Sequence, residues 1–160
     1  MTLDELADAS DLPVRRLRYV LDQGLLPGGK FASRGRGAAR KFLPLECFGI
    51  LVAAAMIEAG LKRAPIRASL ESLARVPAGA VTDGAPLQRA WAGGPATFLE
   101  VGDGGRVRLS GRSGPGGRGA FDSGWLSQAG GGPDPAYEPR VSVRVDAGRI
   151  RDGLRGKFRG

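Results

Sequence analysis

Residues 14–42, VRRLRYVLDQGLLPGGKFASRGRGAARKF, carry the strongest structural pattern in the chain. The first part predicts a helix from about Val14 to Gln23 that ends at Gly24, a residue favoured just after a helix. At 100° per residue, the apolar side chains fall on one side of this helix; they are Val14, Leu17 and Leu21. The opposite side is mainly basic and carries Arg15, Arg18, Tyr19 and Asp22, with Arg16 at its flank. The pattern predicts a helix with a buried apolar stripe and an outward basic face.

The second part of the stretch is basic and rich in glycine, which predicts a β-hairpin with a mobile basic tip. Its cations are Lys30, Arg34, Arg36, Arg40 and Lys41, and no acid separates them. From Arg15 to Lys41 there are eight cations and one acid, Asp22. Like charges do not support one another in a fold, so the pattern predicts an outside counter-charge such as a polyanion. The alternatives are an ordinary solvated face for the helix and an exposed low-complexity loop for the glycine-rich stretch.

Further helices flank this stretch on both sides. A first short helix begins at Thr2, and Glu5 stands three residues later in a capping-box arrangement. Asp11-Leu12-Pro13 predicts the turn that follows, because proline fixes its own φ and restricts the residue before it. A third, central core helix is expected from Pro44 to Gly60, with Cys47 as a small buried residue. A fourth is expected from about Ala64 to Val76.

Composition narrows the classes of function. The chain has 160 residues, a formal charge of +8 and a pI near 10.7, and a basic excess favours polyanionic partners. One cysteine excludes an internal disulfide, and the lack of histidine excludes a histidine-based triad or metal site. We therefore expect no enzyme, cofactor or metal. The longest apolar run, 47–57, is too short for a bilayer, and the polar N-terminus is unlike a signal peptide. These features predict a cytoplasmic, nucleoid-associated protein.

The composition changes after residue 76. Residues 77–96 form a linker-like run of Ala, Gly and Pro, and residues 97–160 predict a small β-rich unit that ends in a basic helix. Strands are expected at 97–101, 106–110 and 141–145, with GDGG as a hairpin signal and Asp146 as the helix cap. Twelve glycines between 102 and 132 predict long turns or disorder there.

Read in order, these segments resemble the DNA-binding domain of MerR-type winged helix-turn-helix proteins. The most specific match is Leu17-Arg18-Tyr19 followed by Gly24-Leu25-Leu26-Pro27. Three shorter matches support it: Leu3-Asp4-Glu5-Leu6-Ala7 in the first helix, Arg40-Lys41-Phe42 at the close of the wing, and Gly60-Leu61 with Ile66. The resemblance covers about 72 residues. It implies an α+β chain in which 1–76 form about four helices with a basic hairpin wing.

The resemblance also implies how the chain meets DNA. The helix 14–23 would be the recognition helix, entering the major groove by its N-terminal end. Residues that match Arg18, Tyr19 and Arg40 contact the DNA backbone in the family, while Arg15 and Arg16 are placed to reach base edges. Two family tyrosines are replaced here, by Val20 and Phe42. The linker at 77–96 stands where most members carry a dimerising coiled-coil helix.

The leading hypothesis is a sequence-specific regulator of transcription that binds double-stranded DNA through the helix and the basic wing. Two alternatives remain open at this point. One is an RNA-associating protein, because SRGRG and GRSGPGGRG are rich in Arg and Gly. The other is an excisionase-like architectural DNA-binding protein. We also expect a homodimer through the C-terminal strands, because Val141, Val143 and Val145 alternate on one face that needs a cover.

Overall fold

The computed structural model describes residues 1–27, 40–75, 86–92, 96–112, 120–126 and 134–158. Within them the chain forms an α+β fold of six α-helices and one antiparallel sheet, in agreement with the sequence analysis. The helices are α1 Leu3–Ser10, α2 Val14–Asp22, α3 Pro44–Glu58, α4 Arg63–Ala74, α5 Pro86–Ala92 and α6 Ala147–Phe158. The strands are β1 Ala96–Gly102, β2 Val107–Arg112, β3 Ala120–Asp122 and β4 Ser142–Asp146, in the order β3-β2-β1-β4.

A short turn joins α1 to α2. The capping box at the start of α1 is confirmed, since Thr2 Oγ1 accepts from the Glu5 N–H while Glu5 accepts from the Thr2 N–H. Asp11 ends α1 in the left-handed region, with φ 56°, and the Leu12 N–H donates to the carbonyl of Ala7. Helices α1 and α2 are therefore joined by a short turn at residues 11–13, as expected from the sequence.

The Gly24-Leu25-Leu26-Pro27 segment anchors the end of α2 in the core. Gly24 has φ +58°, and its N–H donates to the carbonyl of Leu21, which closes the helix. Leu25 and Leu26 then turn inward and are buried. Glycine is favoured here because most side chains are strained at that φ. The predicted helix end at Gly24 is therefore confirmed, and so is its cause, the presence of glycine just after the helix.

Helix α3 is the central helix of the described residues, as predicted. Nine of its 15 residues are buried, so the helix is covered on nearly all sides. It packs against α2, α4, α5, α6 and β4. Cys47 lies inside this packing, where burial raises the pKa of its thiol to about 11. The thiol is therefore protonated and unreactive at neutral pH, as expected for a structural cysteine.

The sheet has one apolar and one charged face. Alternate residues of β1 and β2 point toward the helices and are buried: Leu99, Val101, Val107 and Leu109. The other face carries charges of alternating sign across the strand order, namely Asp122, Arg108, Glu100 and Arg144. The hydrogen bond from Arg108 lowers the pKa of Asp122. The charged face is therefore largely self-neutralised.

The tight turn between β1 and β2 packs against α4. The GDGG hairpin signal is confirmed as a single 3-10 turn, Asp103–Gly105. Ser69 on α4 donates to the Gly105 carbonyl at 3.1 Å. A Cβ on Gly105 would lie 2.8 Å from the Pro65 carbonyl, so only glycine permits this approach. The turn thus joins the sheet to the N-terminal helices.

Helix α6 also connects the two segments, because it packs on α1, α3, α5 and β1. The predicted cap is confirmed, since the Arg149 N–H donates to Asp146 at 2.9 Å. Leu154 of α6 and Val145 of β4 are buried in the same apolar cluster as Leu6, Phe48 and Leu70. The described parts of 1–76 and 97–160 therefore share one core. The boundaries at 76 and 96 stay predictions.

Two features of the C-terminal region were not predicted. Helix α5 lies within the segment expected to be a linker, and its Trp91 ring lies 5.5 Å from that of Phe48. Strand β3 lies within the glycine-rich region expected to form turns, and it pairs with β2. Local patterns gave no signal for either element, because both are short and depend on the surfaces that they cover.

Arg151 of α6 is a buried arginine, with 1% of its surface exposed. Its guanidinium donates to the Ala90 carbonyl at 3.3 Å and to Thr97 Oγ1 at 3.4 Å. Arg155, one turn later, donates to the carbonyl of Trp91 and lies over its ring. These two arginines satisfy carbonyls at the end of α5, where positive charge is favourable. Two of the basic residues of α6 thus stabilise its packing against α5.

Candidate nucleic-acid interface

The outward face of α2 is exposed and basic. Leu17 and Val20 are fully buried against the core, whereas Arg15 and Arg18 are exposed and Tyr19 is 45% exposed. Val14 and Leu21, expected to be core residues, are only partly buried. Within the described residues, neither Arg15 nor Arg18 forms a salt bridge. Both guanidinium groups are therefore exposed to solvent without an acidic partner among the described residues.

Arg16 is the exception on this helix. Its guanidinium forms an ion pair with Glu58 at the end of α3, and the two side chains are 35% and 51% exposed. A pair this exposed contributes at most about 1 kcal/mol, so the contact is readily exchanged for another. Arg16 therefore contacts α3 in this structure, and it must exchange this weak contact before it can reach a base.

Arg40 is also engaged inside the chain. It lies 3.7 Å from a carboxylate oxygen of Glu46 and 4.8 Å above the ring centre of Phe42. Phe42 is buried, and its N–H donates to the Met1 carbonyl at 2.7 Å. Glu46 in turn accepts from the N–H of Leu43, which fixes the start of α3. These contacts place Arg40 at a defined position where the basic stretch rejoins the core.

The five cations between Lys30 and Lys41 were expected to need an outside counter-charge. For Arg40 this is wrong, because Glu46 of α3 supplies one. Arg16 of α2 also has a partner on α3, namely Glu58. Glu58 is 42 residues from Arg16 in the chain, and no local pattern indicates the pairing. A weak indication for Glu46 was present in the sequence, since a Glu at the third position of a helix often accepts a hydrogen bond from the backbone at the start of that helix.

The predicted wing residues divide into two groups. Lys41, which is exposed, and Arg40 lie in the described segment before α3. Lys30, Arg34 and Arg36 lie outside the described residues, and so do the predicted hairpin and the SRGRG motif. Most of the GRSGPGGRG motif also lies there. The wing therefore stays a prediction.

The described residues hold no cluster of three acidic, cysteine or histidine side chains that is suited to a metal ion. None of the helices in the described ranges has the length and apolar character needed to cross a membrane. Comparison of the chain with protein-family models, curated proteins and solved structures gives no match. The site is therefore interpreted from its own residues.

Proposed function

We propose that this chain binds double-stranded DNA in a sequence-specific manner and regulates transcription, with α2 as its recognition helix. The observation that carries the proposal is the outward face of α2. Arg15, Arg18 and Tyr19 project from a helix whose other side is fixed to the core. The resemblance of the sequence to MerR-type proteins, which includes Arg18 and Tyr19, assigns the same role to this helix.

The width of α2 is compatible with that of the DNA major groove. An α-helix with side chains is about 10–12 Å across, and the major groove is about 12 Å wide. Arg15 is the second residue of α2, at the end that enters the groove in helix-turn-helix proteins. An arginine there makes bidentate bonds to the O6 and N7 atoms of guanine. We assign base reading to Arg15, with Arg16 contributing after exchange of its Glu58 contact.

The remaining cations are assigned to phosphates. Arg18 and Tyr19 lie one turn further along the exposed face of α2, where an arginine and a phenol donate to backbone oxygens. Arg40 and Lys41, with Lys30, Arg34 and Arg36 of the predicted wing, extend the positive surface. Such contacts release counterions and supply affinity without sequence preference. The proposed base readers, Arg15 and Arg16, are thus distinct from the proposed phosphate anchors.

Selection of binding sites from a random duplex library tests this function. We expect an enriched motif that contains guanine and is lost when α2 is mutated. Enrichment of single-stranded RNA over duplex DNA would favour the RNA-associating alternative and overturn the proposal. Duplex binding with strong bending but no enriched motif would favour the architectural alternative.

The Arg16–Glu58 contact gives a separate prediction. Glu58→Ala releases Arg16, so one more cation can reach a phosphate or a base. We expect affinity for random duplex DNA to rise by up to about fivefold at low salt, which corresponds to the roughly 1 kcal/mol that an exposed ion pair contributes. Titration by fluorescence anisotropy at low salt measures this gain.

Glu71→Ala is the matched control, because Glu71 pairs with Arg67 on α4 at 3.2 Å. It also removes one acid and releases one arginine, but away from α2. If both variants gain affinity equally, general basicity rather than the position of Arg16 explains the effect.

A further inference from the structure

Strand β4 is an edge strand whose outer side has no partner among the described strands. Its inner side is hydrogen-bonded to β1, and the Asp103 N–H donates to the Val141 carbonyl. In an antiparallel ladder, alternate residues direct their backbone groups to the same neighbour. The backbone groups of Val143 and Val145 therefore face β1 as well. Those of Ser142, Arg144 and Asp146 face outward.

A second copy of β4 is a chemically suitable partner for this edge. Two copies of this edge can pair antiparallel only if the residues whose backbone groups face outward lie opposite one another. This condition allows three registers, in which the two-fold axis passes through residue 142, 143 or 144. Centring on Ser142 places Arg140 opposite Arg144 twice, and centring on Arg144 places that arginine opposite itself. Both arrangements oppose like charges, which is destabilising.

The register centred on Val143 has none of these conflicts. It places Arg140 opposite Asp146 of the second copy, twice, and Ser142 opposite Arg144, twice. Both Arg140 and Asp146 are exposed, and Arg140 makes no salt bridge within the described residues. The segment 140–146, RVSVRVD, is therefore complementary in charge to itself when reversed.

We propose that two copies of this chain associate through β4 in the register centred on Val143, which joins the two sheets into one of eight strands. The outward N–H and C=O groups of Ser142 and Arg144 form the new ladder. Val141, 67% exposed in one chain, then lies beside Val145 of the second copy. This pairing also revises the reason for the expected homodimer. Val145 is already covered by its own chain, and Val141 and the strand edge are what remain open.

Single cysteines identify the register. Val143 faces itself across the two-fold axis, with Cα atoms about 4.5 Å apart, within the range that a disulfide spans. We expect Val143→Cys to form a disulfide-linked dimer under mild oxidation, whereas Ser142→Cys and Arg144→Cys do not. Mixing the last two variants should give the crossed dimer. Cys47 is buried and does not interfere. If Ser142→Cys alone or Arg144→Cys alone forms a disulfide-linked dimer efficiently, the register centred on Val143 is wrong.

Two further variants test the association itself by sedimentation. Ser142→Pro removes an outward N–H at the first residue of the strand and leaves the bonds to β1, so we expect a folded monomer; Ser142→Ala should remain a dimer. Arg140→Glu opposes Asp146 of the second copy and should raise the dimer Kd at least about tenfold. A wild-type chain that stays monomeric at about 100 µM, or a Ser142→Pro variant that is folded and dimeric, overturns the proposal. The association does not depend on DNA binding, so the two proposals fail separately.

Discussion

The Arg15→Ala variant should lose about 1–3 kcal/mol of binding free energy on the selected DNA site and almost none on random duplex DNA. The reason is that a bidentate arginine–guanine contact exists only where the correct base is present. Arg15 is exposed and makes no salt bridge with any described residue, so its removal leaves the fold of α2 intact. Titrations of both DNAs at one salt concentration measure the difference.

Arg18→Ala provides the contrast within the same helix. Loss of a phosphate contact weakens binding to every sequence and lowers the salt dependence by about one unit. The charge-matched control is the double variant Lys157→Ala, Arg159→Ala, which removes two cations from the other end of the chain. If this control weakens binding as much as loss of Arg15 and Arg18 together, α2 is not the recognition helix.

The Arg151→Ala variant should destabilise the fold by about 3 kcal/mol. The substitution removes a buried side chain and leaves the Ala90 carbonyl and the Thr97 hydroxyl without this donor. Each buried polar group that loses its partner costs about 1–3 kcal/mol, and the space left behind adds to the loss. Urea unfolding followed by circular dichroism gives the free energy of unfolding.

Arg149→Ala is the matched comparison, because Arg149 lies on the same helix and is exposed. A surface substitution of this kind changes stability by at most about 0.5 kcal/mol. Equal losses in the two variants would mean that helix propensity, and not the buried contacts of Arg151, determines the effect.

Elements that follow from local chemistry were predictable from the sequence. The capping residues Thr2 and Glu5, the helix end at Gly24 and the GDGG turn each depend on a few neighbouring residues. Alternation at 97–101 and 106–110 identified β1 and β2 because one face of each strand is buried. The exposed basic face of α2 was also predictable, since helical periodicity separates it from Leu17.

Features that depend on distant parts of the chain were not predictable. The burial of Arg151 requires α5 and β1 to meet α6, which one sequence does not reveal. The same holds for the pairing of Arg16 with Glu58, where the partner comes from another helix. A count of cations therefore identified the basic surface of α2, but it did not distinguish arginines that pair within the fold from those that face solvent.

The packing of α6 against α1 has a consequence for synthesis of the protein. Of the described elements, α1 leaves the ribosome first and α6 last, yet they are neighbours in the core. The apolar surfaces of α1 and α3 that α6 covers remain open until residue 158 has been made. The α1–α2 pair is thus translated early but fully packed only late. We therefore expect a chain that stops before α6 to aggregate more readily than one that includes it.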